Sequence, residues 1–383
     1  MKKRFTHAIP AVFVTLLVLA PSRLRPQTPD FSGMLAAWAS GHIAGQVNPI
    51  LGLRYVPTVH LERGIGAGAS LSFEASLNIF GTAAFPSGQK NVTDARAKVY
   101  RGWVRFSTPR FEVRLGLQKI NFGSASLLRP LMWFDRIDPR DPLQITDGVT
   151  GLLLKYTFQN NTNVWLWGLF GGGDVKGWEI FPTAKKSPEF GGRLQLPVPK
   201  GEVGFTYHHR RMDPGRGSSA LPGAFPAPED RIAFDGKWDL GIGLWVEGAM
   251  TKSGSPVLPL PYERALTLGA DYTFGIGSGL RVLGEHFLLK DSRTAFGAGR
   301  GARISALSLN TSVGLLDAVT GIFYYDWENR QFYRFLNWQR TYDRWSFYLI
   351  GFWNPETFGI YRNRPGESSF GGKGIQIMIV FNH

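Results

Sequence analysis

Residues Phe111–Ile120 read FEVRLGLQKI, and their alternation decides the fold. Phe111, Val113, Leu115 and Leu117 fall on one face of an extended chain, with Glu112, Arg114, Gly116 and Gln118 on the other. Successive side chains of a strand point to opposite sides, so this is a strand between two unlike media. Glu202–Arg210 repeats the pattern, setting Val203, Phe205 and Tyr207 against Glu202, Thr206, His208 and Arg210. In Gly148–Phe158, Leu152, Leu154, Tyr156 and Phe158 alternate with Leu153, Lys155 and Thr157; near the C-terminus Ile375, Ile377, Ile379 and Phe381 share one face. Helical spacing is absent over comparable lengths, and each of the many glycines would cost a helix about 1 kcal/mol.

Working outward, the chain from Asp30 divides into eighteen such segments. They span about 31–42, 51–61, 68–80, 98–107, 111–120, 148–158, 162–171, 189–197 and 201–211, then 230–238, 240–251, 262–274, 279–290, 301–311, 314–326, 331–341, 343–354 and 373–382. Even-to-odd connections are short: Thr108-Pro109-Arg110, Gln159-Asn160-Asn161, Pro197–Lys200, Asp239, Gly275–Ser278 and Tyr342. Odd-to-even connections are mostly long and rich in Gly, Pro and charge, at about 81–97, 121–147, 172–188, 212–229 and 355–372. Short turns on one rim and long loops on the other mark a transmembrane, antiparallel, up-and-down β-barrel of about eighteen strands, with sixteen as the other even count. A soluble sandwich has no reason to sort its loops by parity. Tyr100, Trp103, Trp165, Trp167, Tyr324, Tyr325, Trp338, Trp345 and Trp353 cluster toward segment ends, where the membrane–water interface favours such rings.

Composition agrees. The 383 residues carry 43 Lys+Arg against 29 Asp+Glu, a formal net charge of +14, yet only 19% are charged, below the roughly one quarter of a soluble domain. The 14% aromatic content excludes a disordered chain. Absence of Cys excludes disulfides, zinc–thiolate sites and a cysteine nucleophile. Met1–Arg4 (MKKR) followed by the short apolar run Ala8–Ala20 reads as a secretory signal, placing a signal peptide over 1–26 and one barrel over 27–383. The cations are scattered at period two, with no basic run to enter a groove, so a nucleic-acid partner is not expected.

The final strand Ile375–His383 (IQIMIVFNH), with Phe381 near its end, resembles the closing strand of Gram-negative outer-membrane porins. That resemblance implies an outer-membrane location and recognition by the barrel-assembly machinery. Arg114-Leu115-Gly116-Leu117-Gln118, then Asn121-Phe122-Gly123 and Trp133-Phe134-Asp135, also resembles the alginate-export type of barrel, which implies eighteen strands and an arginine-lined lumen. Porins that fold a third loop inward are similar in carrying their longest connector where this chain has Asn121–Asp147, NFGSASLLRPLMWFDRIDPRDPLQITD. Leu127, Leu128, Leu131, Met132, Trp133 and Phe134 are too apolar to hang in water.

The loop's Asp135, Asp138, Asp141 and Asp147, beside Arg129, Arg136 and Arg140, are candidates for the constriction: either they set a field across it or they form local turns and ion pairs. Strand phase puts Arg54, Arg101, Arg105, Arg114, Lys155, Arg193, Arg210, Arg231, Lys237 and Arg281 on the polar face, with Glu112, Glu202, Asp235, Glu247 and Asp271. A lumen with surplus positive charge concentrates anions. The expectation is a porin passing small hydrophilic solutes, anions preferred, without cofactor or metal, surrounded by outer-membrane lipid and lipopolysaccharide; a trimer is among the arrangements it allows. A barrel hydrolase and a non-conducting structural barrel are the alternatives. No Gly-x-Ser-x-Gly, HExxH or P-loop occurs; His286 with Glu285 and Ser305 is the one grouping to inspect.

Overall fold

A computed structural model describes residues 29–42, 49–66, 68–86, 88, 90–171, 174–217, 219–355 and 370–383. The expected signal segment lies outside the described residues. Eighteen strands follow in chain order: β1 (Asp30–His42), β2 (Ile50–Gly66), β3 (Ala69–Ala84), β4 (Val92–Ser107), β5 (Phe111–Gln118), β6 (Val149–Thr157), β7 (Asn163–Phe170), β8 (Glu189–Val198) and β9 (Gly201–Met212). The second half is β10 (Ala227–Asp239), β11 (Gly243–Ser253), β12 (Tyr262–Phe274), β13 (Leu280–Ser292), β14 (Arg300–Val313), β15 (Asp317–Asp326), β16 (Gln331–Thr341), β17 (Trp345–Trp353) and β18 (Lys373–Asn382). Each pairs antiparallel with the next, and β1 pairs with β18 from Met34↔Asn382 to His42↔Gly374, so the sheet closes on itself. Closure leaves no strand edge for hydrocarbon to meet, the condition a membrane sets on a sheet. The count is eighteen, not sixteen.

Register assigns the two faces. Leu51, Leu53, Leu115, Leu166, Ile232, Leu268, Leu336, Ile377 and their row-mates point outward and are exposed as a lipid-facing wall would be. Outward aromatics form two bands: Tyr325, Trp327 and Trp353 near the rim carrying the long loops, Trp338, Trp345 and Phe381 near the other. Trp103, Trp165, Trp167 and Tyr324, expected at the interface with lipid, share the inward parity instead. Three of these are buried; Trp165 packs at the edge of the same cluster. Their position near strand ends was the wrong criterion: parity decides the medium, and inside the wall Trp165, Trp167 and Tyr324 pack on the loop while Trp103 packs on His60, Arg105 and Arg114.

A second departure is β4. Residues 92–97, expected within a long loop, continue the strand opposite Gly81–Ala84 and Ile79–Phe80. Asp94, Arg96 and Lys98 break the apolar alternation, because a strand projecting past the hydrocarbon has no need of an apolar face. A bulge at Tyr100, between the pairs Leu77↔Val99 and Ser76↔Arg101, restores inward parity to Arg101 after Lys98.

Candidate functional site: the inward loop and the charged wall

The 119–148 connector runs inside the barrel, and two wall carboxylates hold it. Glu247 on β11 accepts the Ala125 N–H at Oε2 (2.8 Å) and the Leu131 N–H at Oε1 (2.6 Å). Glu285 on β13 accepts the Ser126 N–H (2.6 Å) at Oε1, and those of Leu127 (2.9 Å) and Leu128 (2.6 Å) at Oε2; the Trp245 indole also donates to it (3.1 Å). Thr267 donates to the Leu128 carbonyl (2.5 Å) and Ser124 to Asp235 (3.2 Å). Charged acceptors in a dry setting are the strong kind of hydrogen bond, and here they replace the sheet partners a loop lacks. Gly123 permits the approach: its φ is +103°, and a Cβ there would lie 2.4 Å from Glu247 Oε2.

Apolar packing completes the docking. Leu127, Leu128 and Met132 bury against the inward residues Leu283, Phe287, Ile304, Ile322, Tyr324, Tyr333, Phe335, Ile350 and Phe352 of β13–β17. Phe122, Leu131, Trp133 and Phe134 bury against Val149, Leu153, Trp167 and Leu169 of β6 and β7. Leu143 lies on the inner face of β1 and β18 with Ala36, Met378 and Val380. The loop thus touches the wall in three sectors before returning to β6.

Its charges are largely matched close at hand. Arg129 pairs with Asp135 (2.8 Å) and also donates to Asn121 (2.9 Å). Arg140 grips Asp138 through Nε (2.9 Å) and Nη2 (2.6 Å), with its guanidinium 5.4 Å from the Phe370 ring. Asp147 pairs with Lys98 on β4. The Arg136 backbone N–H donates to Thr146 Oγ1 (2.7 Å), whose carbonyl accepts Arg101 Nη2 (3.1 Å). Asp141 accepts the Leu143 N–H (3.0 Å). Burial pushes its carboxyl above the ordinary aspartate range, opposed by that hydrogen bond and by nearby Arg54. Burial likewise lowers Lys119, at the loop's start.

The wall residues named from sequence phase all carry inward parity, in three groups. Arg105 and Arg114 are direct cross-strand partners on β4 and β5; Glu112 pairs with Arg114 (3.1 Å) and faces Lys155 across β5–β6. Lys155 lies 3.9 Å above the Trp165 ring. Further round this rim, Gln195 donates to Glu202 (2.6 Å), Lys237 lies opposite Glu202 on β10, and Arg281 pairs with Asp271 (2.5 Å). Arg54 and Arg101 stand nearer the loop's tail, Arg54 5.2 Å from the Phe80 ring and Arg101 3.9 Å from that of Tyr100.

The third group is saturated. Arg193 binds Asp235 through both terminal nitrogens (2.5 and 2.9 Å). Arg210 binds Glu229 (2.6 and 3.0 Å) and Glu179 (3.1 Å), and Arg231 binds the same two acids (2.6 and 3.1 Å). Glu179 comes from a second inward segment, described over 174–188, which the sequence did not mark as ordered. Lys176 from that connector reaches Glu189 (2.6 Å), and Glu189 meets His208 Nε2 at 3.1 Å. The Trp167 indole N–H can only donate, so His208 Nδ1 accepts it (3.2 Å) and Nε2 carries the proton given to Glu189. Gly177, at φ +42°, lets the two inward connectors touch: a Cβ there would fall 1.8 Å from the Met132 carbonyl oxygen.

The suspected His286, Glu285 and Ser305 grouping does not assemble. His286 Nδ1 lies 2.9 Å from Ser305 Oγ on the outer face, while Glu285 points inward to the loop. Among the described residues no group of three or more His, Asp or Glu converges on a metal position. Glu247 was legible as a polar-face residue and Glu285 only as a neighbour of His286, neither as a loop clamp, because nothing local in either strand distinguishes a carboxylate facing water from one facing backbone N–H groups.

No family model and no curated protein sequence matches the chain. Solved structures do. OccAB1 of Acinetobacter baumannii is 10% identical with a TM-score of 0.56, covering 94% of this chain and 98% of that one. OccK7 (OpdD) of Pseudomonas aeruginosa is 10% identical at 0.54, covering 93% and 99%, and OccK8 (OprE) of the same organism 11% identical at 0.53, covering 93% and 98%. At these identities the likeness is one of architecture, that of a closed antiparallel transmembrane β-barrel.

Proposed function

We propose that this chain is an outer-membrane porin that passes small hydrophilic solutes by diffusion, with the 119–148 loop as its restriction and anions preferred. The observation that carries the reading is the clamp: five backbone N–H groups of the loop are held by Glu247 and Glu285 inside a closed barrel. A fixed inward loop narrows a passage; an adhesion or scaffold barrel gains nothing from it. Anion preference rests on Arg105 and Arg114, direct cross-strand partners placed with Lys155 near the rim of short turns, three cations whose ion-pair partners are Glu112 (3.1 Å from Arg114) and Glu62 (3.9 Å from Arg105). Like charges held adjacent raise the local potential and favour an anion between them. No covalent step or cofactor is needed. The signal peptide, lipopolysaccharide around the wall and delivery by the barrel-assembly machinery belong to the same reading.

Purified protein in a planar bilayer tests it. Stepwise conductance and a reversal potential of anionic sign in a salt gradient are expected. A barrel that inserts and does not conduct overturns the porin reading; cation selectivity overturns the charge assignment alone.

A further inference from the structure

The outer face carries an arrangement that conduction does not use. Near the rim of long loops, four neighbouring strands each turn a cation outward: Lys252 on β11, Arg264 on β12, Lys290 on β13 and Arg303 on β14. Arg264 and Lys290 are direct cross-strand partners, a like-charge pair that destabilises a sheet unless an anion lies between them. Arg264 gives one hydrogen to the Gly297 carbonyl (2.5 Å), and its buried Nε has no hydrogen-bond partner. Arg303 reaches Glu328 (2.9 Å) and Lys252 lies 5.9 Å above the Tyr262 ring. Asp230, opposite Lys252, is already bound by His209 and Tyr207 (2.8 Å each).

Beside this cluster a shallow apolar groove of about 970 Å³ crosses β7–β12, with Arg264 at its edge. Gly192 and Gly248 leave its floor bare; Phe205, Ile232, Phe234 and Met250 line it. Phe205, Ile232 and Phe234 share the outward parity of the hydrocarbon-facing wall.

We propose that this face is a specific site for the lipid A part of lipopolysaccharide in the outer leaflet, with a phosphate between Arg264 and Lys290, flanked by Lys252 and Arg303, and an acyl chain in the groove. Charge complementarity selects the occupant: Glu328 and Asp230 answer Arg303 and Lys252 only in part, the Arg264–Lys290 pair has no acid beside it in register, and this positive surplus at the external rim of long loops favours a lipid carrying more than one negative charge. The site rests on the membrane placement of the porin reading and not on conduction.

The test uses the full-length barrel in detergent, titrated with bis-phosphorylated lipid A, with lipid A stripped of both phosphates, and with phosphatidylglycerol, binding being read by native mass spectrometry. Lipid A is expected to bind the wild type in preference to the other two. K252Q/R264Q/K290Q is expected to lose about a hundredfold in affinity, at the roughly fivefold per cation that anionic membrane surfaces give, with single-channel conductance unchanged. Equal binding of the three lipids by the wild type overturns the proposal, and this arm decides even if the triple variant does not fold. Wild-type affinity in a folded triple variant also overturns it, as does self-association through this face that excludes lipid A. Loss of conductance with lipid A binding intact would instead strike the porin reading.

Discussion

Arg210 shows how much one side chain can be made to hold. Its guanidinium is fully enclosed between Glu179 and Glu229, and Arg231 shares both acids. Such a cluster gains little over an apolar core, but removing one member strands the rest. Arg210→Ala should therefore cost about 3–5 kcal/mol, read as a lowered urea midpoint for loss of the folded form in vesicles; an unchanged midpoint would mean the acids find water. Asp141 is the residue through which pH should act on the passage. Burial disfavours its charged form and holds its pKa above the ordinary 3.8, so it takes up a proton at higher pH folded than unfolded. The ionised group thus costs stability above the raised pKa, and the cost vanishes as pH falls through it. Protonation also removes a negative charge beside Arg54. The anion-to-cation permeability ratio should rise on acidification with a midpoint above 3.8, and Asp141→Asn should hold the high ratio at every pH.

At the scale of elements, the inward loop and β13–β17 form one unit. Glu285→Ala leaves the buried N–H groups of Leu127 and Leu128 without an acceptor, at about 1–3 kcal/mol each, and frees the partly buried one of Ser126, enough to release the tip while the Leu127 and Leu128 side chains still favour the wall. Open-channel current should become larger and noisier in single-channel recordings, and a quiet wild-type trace would argue that the apolar contacts alone fix the loop. The sequence made the strands legible because lipid on one side and polar groups on the other impose period two, as at Phe111–Gln118 and Lys373–Asn382. It misled where that contrast fades. On β15–β17, Ile322, Tyr324, Tyr333, Phe335, Ile350 and Phe352 point inward yet are apolar, because a loop and not water covers them. Trp167 was read as a lipid-side ring for want of any local sign that His208 and Phe134 lie against it. Six residues of β4 looked like loop because Asp94 and Arg96 alternate with nothing greasy enough to mark a membrane.

The whole barrel distributes its charge unevenly. Arg193, Arg210 and Arg231 on β8–β10 are consumed by Asp235, Glu179 and Glu229, whereas Arg105, Arg114 and Lys155 share the more open contacts of Glu112 and Glu62. Replacing those three by Ser should move the reversal potential toward cations and reduce conductance at low salt more than at high salt, since screening lengthens no favour to fixed charge above about 0.1 M; an unaltered potential would place the selective charges elsewhere. The ring closes through β1 and β18, where Gly33 and His383 exchange backbone hydrogen bonds of 2.9 and 3.0 Å. This joint brings together the segments made first and last among the described strands. A polypeptide deprived of β18 would therefore present two raw borders, on β1 and β17, to the surrounding lipid, and the seam joining the ends of the sheet is what spares the barrel that exposure.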